Sequence, residues 1–384
     1  MKFVLTEDLQ QGMRLAKPIY NKNGVLLYDR DSKLTAPAIN SIHNFGLIGI
    51  YILEPAEPLP PMTREDIEFE QLQTMYIFRL REIMDAILAR KKIKELPAFI
   101  DDIIKHYGSL DHRVNFNQNL RSPEDFIYKH AISMVILVTM MTSRLGFTYV
   151  KQKTMIAASL LYGLGARYVP KTILSKAEED RTAQDHDMIE KSLVKGLDFL
   201  SNYRGDFDFF PRALALAQVF VYEGTPMMGE LKPDDDLKVM VSILRIADAF
   251  DRCTAMNIGH DPESEIKAME LLESDVEKYP RDFVLCLAKC IHICPVAASV
   301  DFTDGTKGIV LVENPKDYLK PVVLHIGDNQ IYDLSKEEDA AKLQIKDIMK
   351  TMDNRILIDE ETLKLFIPDE RLIEITRQFN ESRA

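Results

Sequence analysis

Cys286, Cys290 and Cys294 recur at intervals of four residues with His292 among them, so an unbroken helix would set three thiols on one face beside an imidazole. Thiolates and imidazoles bind zinc, and paired thiols carry redox chemistry. Pro295 disfavours helical geometry at Cys294, and cysteine also serves as a small core residue, so packing is the simpler reading. His130 stands among Ile132, Met134 and Val135, where an imidazole acts as a metal ligand or as a hydrogen-bonded structural group. Asp248, in an equally apolar stretch, serves as a ligand or as a buried acceptor tying helix to helix. Glu178 to Asp180 and Asp234 to Asp236 lack the alternation of a calcium loop and fit the first turns of helices. Met227 and Met228 differ from the other methionines, such as Met134 and Met140, in falling in a turn rather than within a helix.

The elements that must position these groups change in texture along the 384 residues. Residues 1–54 read as a small α+β domain: β-rich runs at Met13 to Tyr20 and Val25 to Tyr28, a type I′ hairpin signal at Asn23-Gly24, a helix capped by Thr35 and ended by Gly46, and a strand from Ile48 to Leu53. Residues 55–62 are a proline-rich linker, which cannot sustain a helix or a central strand. Residues 63–294 read as a helical domain. It opens on a capping-box spacing of Thr63 and Asp66 and contains a strong helix start at Ser122-Pro123-Glu124-Asp125. Helices are expected near 96–107, 125–145, 150–164, 182–200, 211–222, 234–256, 262–273 and 281–292. Residues 295–384 read as a β-rich subdomain with terminal helices, one of them from Lys336 to Met352. The fold class is therefore multidomain and mainly α.

The formal charge of -12 and a pI near 5.3 argue against a nucleic-acid partner. No apolar leader follows the opening lysine, and the longest apolar stretch, Ala131 to Met141, is shorter than a membrane span. With four cysteines and no dense disulfide framework, the expected compartment is a reducing cytoplasm, and the expected source is bacterial.

Tyr128-Lys129-His130-Ala131, then Leu160-Leu161-Tyr162-Gly163-Leu164-Gly165-Ala166, then Val169-Pro170-Lys171-Thr172-Ile173-Leu174 share a rhythm with Ile243-Leu244-Arg245-Ile246-Ala247-Asp248-Ala249-Phe250-Asp251. Together they resemble the core of the HD-GYP proteins, bacterial metal-dependent phosphodiesterases of cyclic di-GMP. The flanks, at residues 12–20 and 308–323, resemble the small domains that often accompany that core. The resemblance implies a central all-helical HD-type domain with cations held by histidines and aspartates on neighbouring helices, where they activate water and neutralise phosphoryl oxygens.

Carried over residue by residue, His130 matches the first histidine and Asp248 the last aspartate. The His-Asp pair falls on Tyr162 and Gly163, a downstream histidine on Ser192, and the two histidines of the GYP signature on Gln218 and Val219. Of that signature the acid, Glu223, and its glycine remain. Glycine offers no ligand, and tyrosine binds only as a costly phenolate. The resemblance therefore implies no cofactor, or at most a single weakly bound divalent cation on His130 and Asp248. Three readings remain. The first is a catalytically inactive HD-GYP-like signalling protein that acts through a protein partner or self-association. The second is a non-hydrolysing receptor for cyclic di-GMP or another nucleotide, with a ligand pocket drawn from Lys171, Lys176, Glu223, Met227, Met228 and Arg245. The third is a phosphodiesterase with a divergent metal site built from His130, Asp248, Glu223 and Tyr162.

Overall fold

A computed structural model of the chain describes residues 2–47, 49–52, 63–116, 121–122, 125–174, 176, 180–203, 207–223, 225–255 and 262–348. The proline-rich segment 55–62, Pro123-Glu124, Gly224 and the tail beyond 348 lie outside these. The chain divides into two compact units, Met1–Arg79 and Leu80–Ala384.

In the first unit, strand β1 (Lys2–Leu5) pairs antiparallel with β4 (Gly49–Ile52), and β2 (Ile19–Tyr20) pairs with β3 (Leu26–Tyr28). Helix α1 (Ala36–Asn44) begins where the Thr35 hydroxyl accepts from the Ala38 amide at 3.3 Å, and it ends before Gly46, whose φ is +68°. Leu15, Leu34, Ile42, Ile50 and Ile52 fill the space between helix and strands. The β2–β3 hairpin is present, but Gly24 alone takes positive φ, so its turn is not the expected type I′. The Asn21 carboxamide instead accepts from the amides of Asn23 and Val25 at 2.9 and 3.0 Å, which closes the loop from one side. The long helix α2 (Arg64–Leu88) starts with the expected capping box, Thr63 and Asp66 each bonding the other's amide. Its early turns join this unit through the Lys17–Glu70 ion pair.

In the second unit, helix α4 (Phe126–Arg144) is apolar on all sides because it is covered by α3 (Leu96–Tyr107), α5 (Tyr149–Leu161), α9 (Asp235–Thr254) and α11 (Arg281–Cys290). By length and composition α4 could cross a membrane, contrary to the expectation that no stretch was long enough; 83% of its apolar window is buried inside the fold. A 3-10 segment, Tyr162–Tyr168, follows α5 and lies against α7 (Ala183–Asn202). Gly165 and Gly196 meet there so closely that a Cβ on either would overlap the other element's backbone. Helices α8 (Phe210–Tyr222) and α10 (Glu265–Glu273) lie close to the expected bounds, and a single turn, α6 (Lys171–Leu174), forms where no helix was expected.

The sheet that follows is antiparallel, ordered β8-β7-β6-β5-β9, from β5 (Ser299–Phe302), β6 (Lys307–Val312), β7 (Val322–His325), β8 (Gln330–Asp333) and β9 (Ile345–Ile348). The helix expected at Lys336 to Met352 is corrected, over its described part, to a single turn, α12 (Glu337–Ala340), and strand β9. Pairing of Val300 with Ile348 and Asp301 with Asp347 captures that segment for the sheet, overriding its local helical preference.

A polar cluster between two central helices

The cluster around His130 is built by two helices and two chain segments at their ends. Before α4, Ser122 and Asp125 form a reciprocal capping box, with the Ser122 amide donating to Asp125 at 2.7 Å and the Asp125 amide to the Ser122 hydroxyl at 3.2 Å. That box anchors the start of the helix one turn before His130. On α9, Asp248, Asp251 and Arg252 stand at i, i+3 and i+4, which brings all three to the face that meets α4. Tyr162 sits where α5 tightens into the 3-10 segment, and it sends its hydroxyl into the same space.

His130 Nδ1 donates to Asp251 Oδ2 at 2.5 Å, while its Nε2 lies 2.6 Å from the Tyr162 hydroxyl and 3.0 Å from Asp248 Oδ1. The Phe126 ring stacks on the imidazole, nearly parallel at 5.4 Å, and Phe220 meets Tyr162 edge-on at 5.0 Å. Behind Asp251, Arg121 donates through Nη1 and Nη2 to the two carboxylate oxygens at 2.6 and 2.5 Å, and also reaches the Ser133 hydroxyl at 3.3 Å. This pair is buried, with side-chain exposures of 1% and 0%. In front of Asp248, Arg252 Nε lies 2.9 and 3.0 Å from the two oxygens, with its side chain 46% exposed at the rim.

Electrostatics follow from this arrangement. Burial opposes ionisation of Asp248, but the Arg252 charge and the His130 contact outweigh it and hold the carboxyl below the usual range. Asp251 is held down likewise, with burial opposed by Arg121 and His130. The Tyr162 phenol is pushed well above its ordinary value, first by burial and then by the Asp248 charge. It is thus a neutral hydroxyl, not a phenolate. Two carboxylates thus face two guanidiniums, with the His130 imidazole between them.

A family model of the HD domain matches residues 116–282, the stretch that contains every member of this cluster. The middle of the chain is an HD domain. No curated protein and no solved structure matches the chain. The resemblance noted in the sequence implies divalent cations at this place, so the side chains present must be weighed against such an ion. At Gly163 a Cβ would meet only the Ile127 side chain. Ser192 is buried against the 3-10 segment, Val219 is a buried apolar residue and Gln218 is half-buried on α8. His130 and the two aspartates remain, and each aspartate already holds a guanidinium. Among the described residues no group of three or more His, Cys, Asp or Glu side chains is disposed to hold a metal ion. The donor set of this HD domain therefore does not fit a divalent cation.

Of the residues singled out in the sequence, the structure brings His130, Tyr162 and Asp248 together. Glu223 and Arg245 meet separately, Arg245 Nε donating to Glu223 Oε2 at 2.5 Å across the end of α8 and α9. Lys176 pairs with Asp185 at 2.7 Å, and this contact, with the amide and hydroxyl of Thr182, lowers the Asp185 carboxyl to about 2 at the start of α7. Lys171 is exposed at the start of α6, and Met227 and Met228 are half-buried in the 3-10 turn Pro226–Glu230. Cys286 and Cys290 share a face of α11, but Cys294 does not join them, because the helix ends at Cys290 and Ile291 turns extended to bridge Val114. Sequence reasoning missed Asp251, Arg121 and Arg252. The i, i+3, i+4 spacing of Asp248, Asp251 and Arg252 was a usable signal for two of them, whereas Arg121 lies 130 residues from its partner and no local pattern marks it.

Proposed function

We propose that this is a catalytically inactive HD-domain protein of the bacterial cytoplasm, of HD-GYP ancestry, that works in signalling by binding a protein partner or a second copy of itself. The observation that carries the reading is the pairing of the acids: Asp248 and Asp251, the two acids best placed to hold a cation, are each paired with an arginine. Phosphodiester hydrolysis of the HD type needs cations to generate the nucleophile and to neutralise the phosphoryl oxygens. A site whose remaining acids are engaged by guanidiniums supplies neither, while the helices around it stay fully packed. Retention of the frame without its donors favours a role for the frame.

The receptor reading for cyclic di-GMP draws less support, because Arg245 and Lys176, the cations it would use, are paired with Glu223 and Asp185. The deciding experiment incubates the full chain with cyclic di-GMP in the presence of manganese or ferrous iron and follows product. Calorimetry with the same nucleotide and sedimentation of the protein alone complete it. The expected outcome is no turnover and no heat, with self-association or a stable protein complex. Turnover that depends on added metal overturns the reading, and saturable heat without turnover replaces it with the receptor.

A further inference from the structure

The turn between β5 and β6 (303–306) and the turn between β7 and β8 (326–329) fall at the same end of the sheet, because β6 and β7 are antiparallel neighbours. His325 bridges them. Its Nδ1 lies 2.7 Å from Asp328 Oδ1 in the second turn, and its Nε2 lies 2.9 Å from the Thr306 hydroxyl in the first. Neither neighbour has a hydrogen to spare for the ring. Desolvation opposes ionisation of Asp328, but the His325 contact, the Gln330 amide and the Tyr332 hydroxyl outweigh it and lower the carboxyl to about 2. The Thr306 hydroxyl donates to Asp304 Oδ1 at 2.6 Å, and the Thr306 amide donates to the same oxygen at 2.9 Å. The full set of bonds therefore requires a hydrogen on both ring nitrogens, which is the imidazolium form. The same count sets aside a nucleophilic Thr306 with His325 as its base.

We propose that His325 is a proton-operated latch between these turns: with both ring hydrogens it ties Thr306 to Asp328, and when one hydrogen leaves, a tie breaks and this end of the sheet loosens. A neutral ring has no arrangement that keeps every bond. With its hydrogen on Nδ1, the Nε2 lone pair faces the Thr306 oxygen, and turning that hydroxyl toward Nε2 takes its hydrogen from Asp304. With the hydrogen on Nε2, the Nδ1 lone pair faces the Asp328 carboxylate. Nor can the ring turn to water where it stands. His325 is 8% exposed, the Phe302 and Tyr332 rings lie 5.8 and 5.9 Å from it, and a Cβ on Gly327 would come within 2.8 Å of its Cε1. The charged groups around it favour the second proton. Asp304 and Asp328 stand on the two turns, and the Thr306 hydroxyl and amide hold the Asp304 carboxyl below the usual range. Lys307 on β6 is paired with Asp301 at 3.1 Å, and Lys342, beyond α12, lies over the Tyr332 ring. Tyr332 itself donates to Asp328, a contact that raises its phenol and keeps it neutral. The closed turns bind the proton more tightly than the opened ones, so closure is favoured at low pH and lost as pH rises through the titration of His325.

The test follows hydrogen–deuterium exchange of the full-length protein by mass spectrometry from about pH 5 to about pH 8.5, the span in which histidines change charge, with rates corrected for the intrinsic pH dependence of exchange. Peptides over the two turns are compared between the unaltered chain, Thr306→Val and His325→Gln. The expected result is protection of both turns that falls by up to about tenfold per pH unit across one common interval in the unaltered chain. Thr306→Val removes the acceptor for the second hydrogen but leaves the histidine, so its turns should be less protected at low pH and nearly indifferent to pH. Nitrogen-15 spectra of histidine-labelled protein supply the second readout. The signal that His325→Gln deletes should report hydrogens on both ring nitrogens wherever protection is high, and it should titrate over the same interval. If His325→Gln does not fold, Thr306→Val identifies that signal by shifting its titration to lower pH. Protection of the two turns that is independent of pH in the unaltered chain overturns the proposal. So does a pH dependence that persists unchanged in Thr306→Val, or a His325 ring that carries a single hydrogen while the turns are protected.

Discussion

Replacing Arg121 by methionine tests the cluster at its most enclosed point. The guanidinium and the Asp251 carboxylate are 1% and 0% exposed and joined by two hydrogen bonds of 2.5 and 2.6 Å. At charge separations of about 4 Å and an effective dielectric constant near 20, their attraction is about 4 kcal/mol. Methionine retains much of the side-chain volume but leaves a buried carboxylate without the guanidinium that is bonded to both its oxygens. Breaking such a pair from one side costs roughly 3–5 kcal/mol. At about 2–4 °C per kcal/mol for a domain of roughly 150–250 residues, that corresponds to a fall in Tm on the order of 10 °C. The second arm, Arg121→Met/Asp251→Asn, removes both charges while the introduced carboxamide retains an acceptor for His130. It should recover at least about 2 kcal/mol of the loss, a coupling of the size expected for directly bonded groups. The assay is urea unfolding followed by far-ultraviolet circular dichroism, with thermal melts beside it. A loss below about 1 kcal/mol in the single variant would refute the reasoning, and so would a double variant as unstable as the sum of its parts.

The pH dependence of stability should carry the signature of the two aspartates. Their folded-state affinities for protons are depressed, so their contribution is present above the ordinary carboxylate value of about 3.9 and is lost as pH falls through the lower folded values. Tm should drop steeply below about pH 4, and the drop should be shallower in Arg121→Met/Asp251→Asn. Glu265, at the start of α10, behaves in the opposite sense: burial first, then Asp347, raises its carboxyl from 4.5 to about 7. Its contribution is therefore present at low pH and lost as pH rises toward 7, so Glu265→Gln should leave Tm unchanged near pH 4 and raise it near about pH 8, as thermal melts across pH will show. Gly196→Ala drives a methyl group into the backbone at Gly165, and urea unfolding should register a loss of about 3 kcal/mol or insoluble protein; a loss under about 1 kcal/mol would mean that the two elements separate easily.

What the sequence disclosed divides by the range of the interactions involved. Helix starts depend on a few neighbouring residues, and Thr35, Thr63 and Ser122 with Asp125 act as caps where their spacing indicated, while Asp234, expected in the first turn, caps α9 instead. Helix α4 was legible because continuous apolar character signals burial, although the same property makes it pass for a membrane span. Strand β9 was not legible, since Ile345 to Ile348 becomes a strand only by meeting β5, from which β6, β7, β8 and α12 separate it along the chain. The site divides in the same way. His130, Asp248 and Tyr162 emerged by matching a motif, and the structure brings them together. Arg121 and Arg252 escaped because a motif records the groups that hold a cation and not those that substitute for one.

The placement of β9 has a consequence for how the chain is made. Strand β5 ends at Phe302, but its outer neighbour begins at Ile345, after β6, β7, β8 and α12 have been translated. During that interval on the ribosome the outer edge of β5 has no partner within the nascent chain, and an open edge recruits any strand that reaches it. The interval ends when β9 arrives, pairs with β5 and accepts at Asp347 a hydrogen bond from Ser264, the residue that caps α10. One late strand thus joins the sheet to the helices. A ribosome that stalls or terminates between these points releases a chain with helices α1 to α11 and an uncovered strand edge, a product prone to capture by its own siblings.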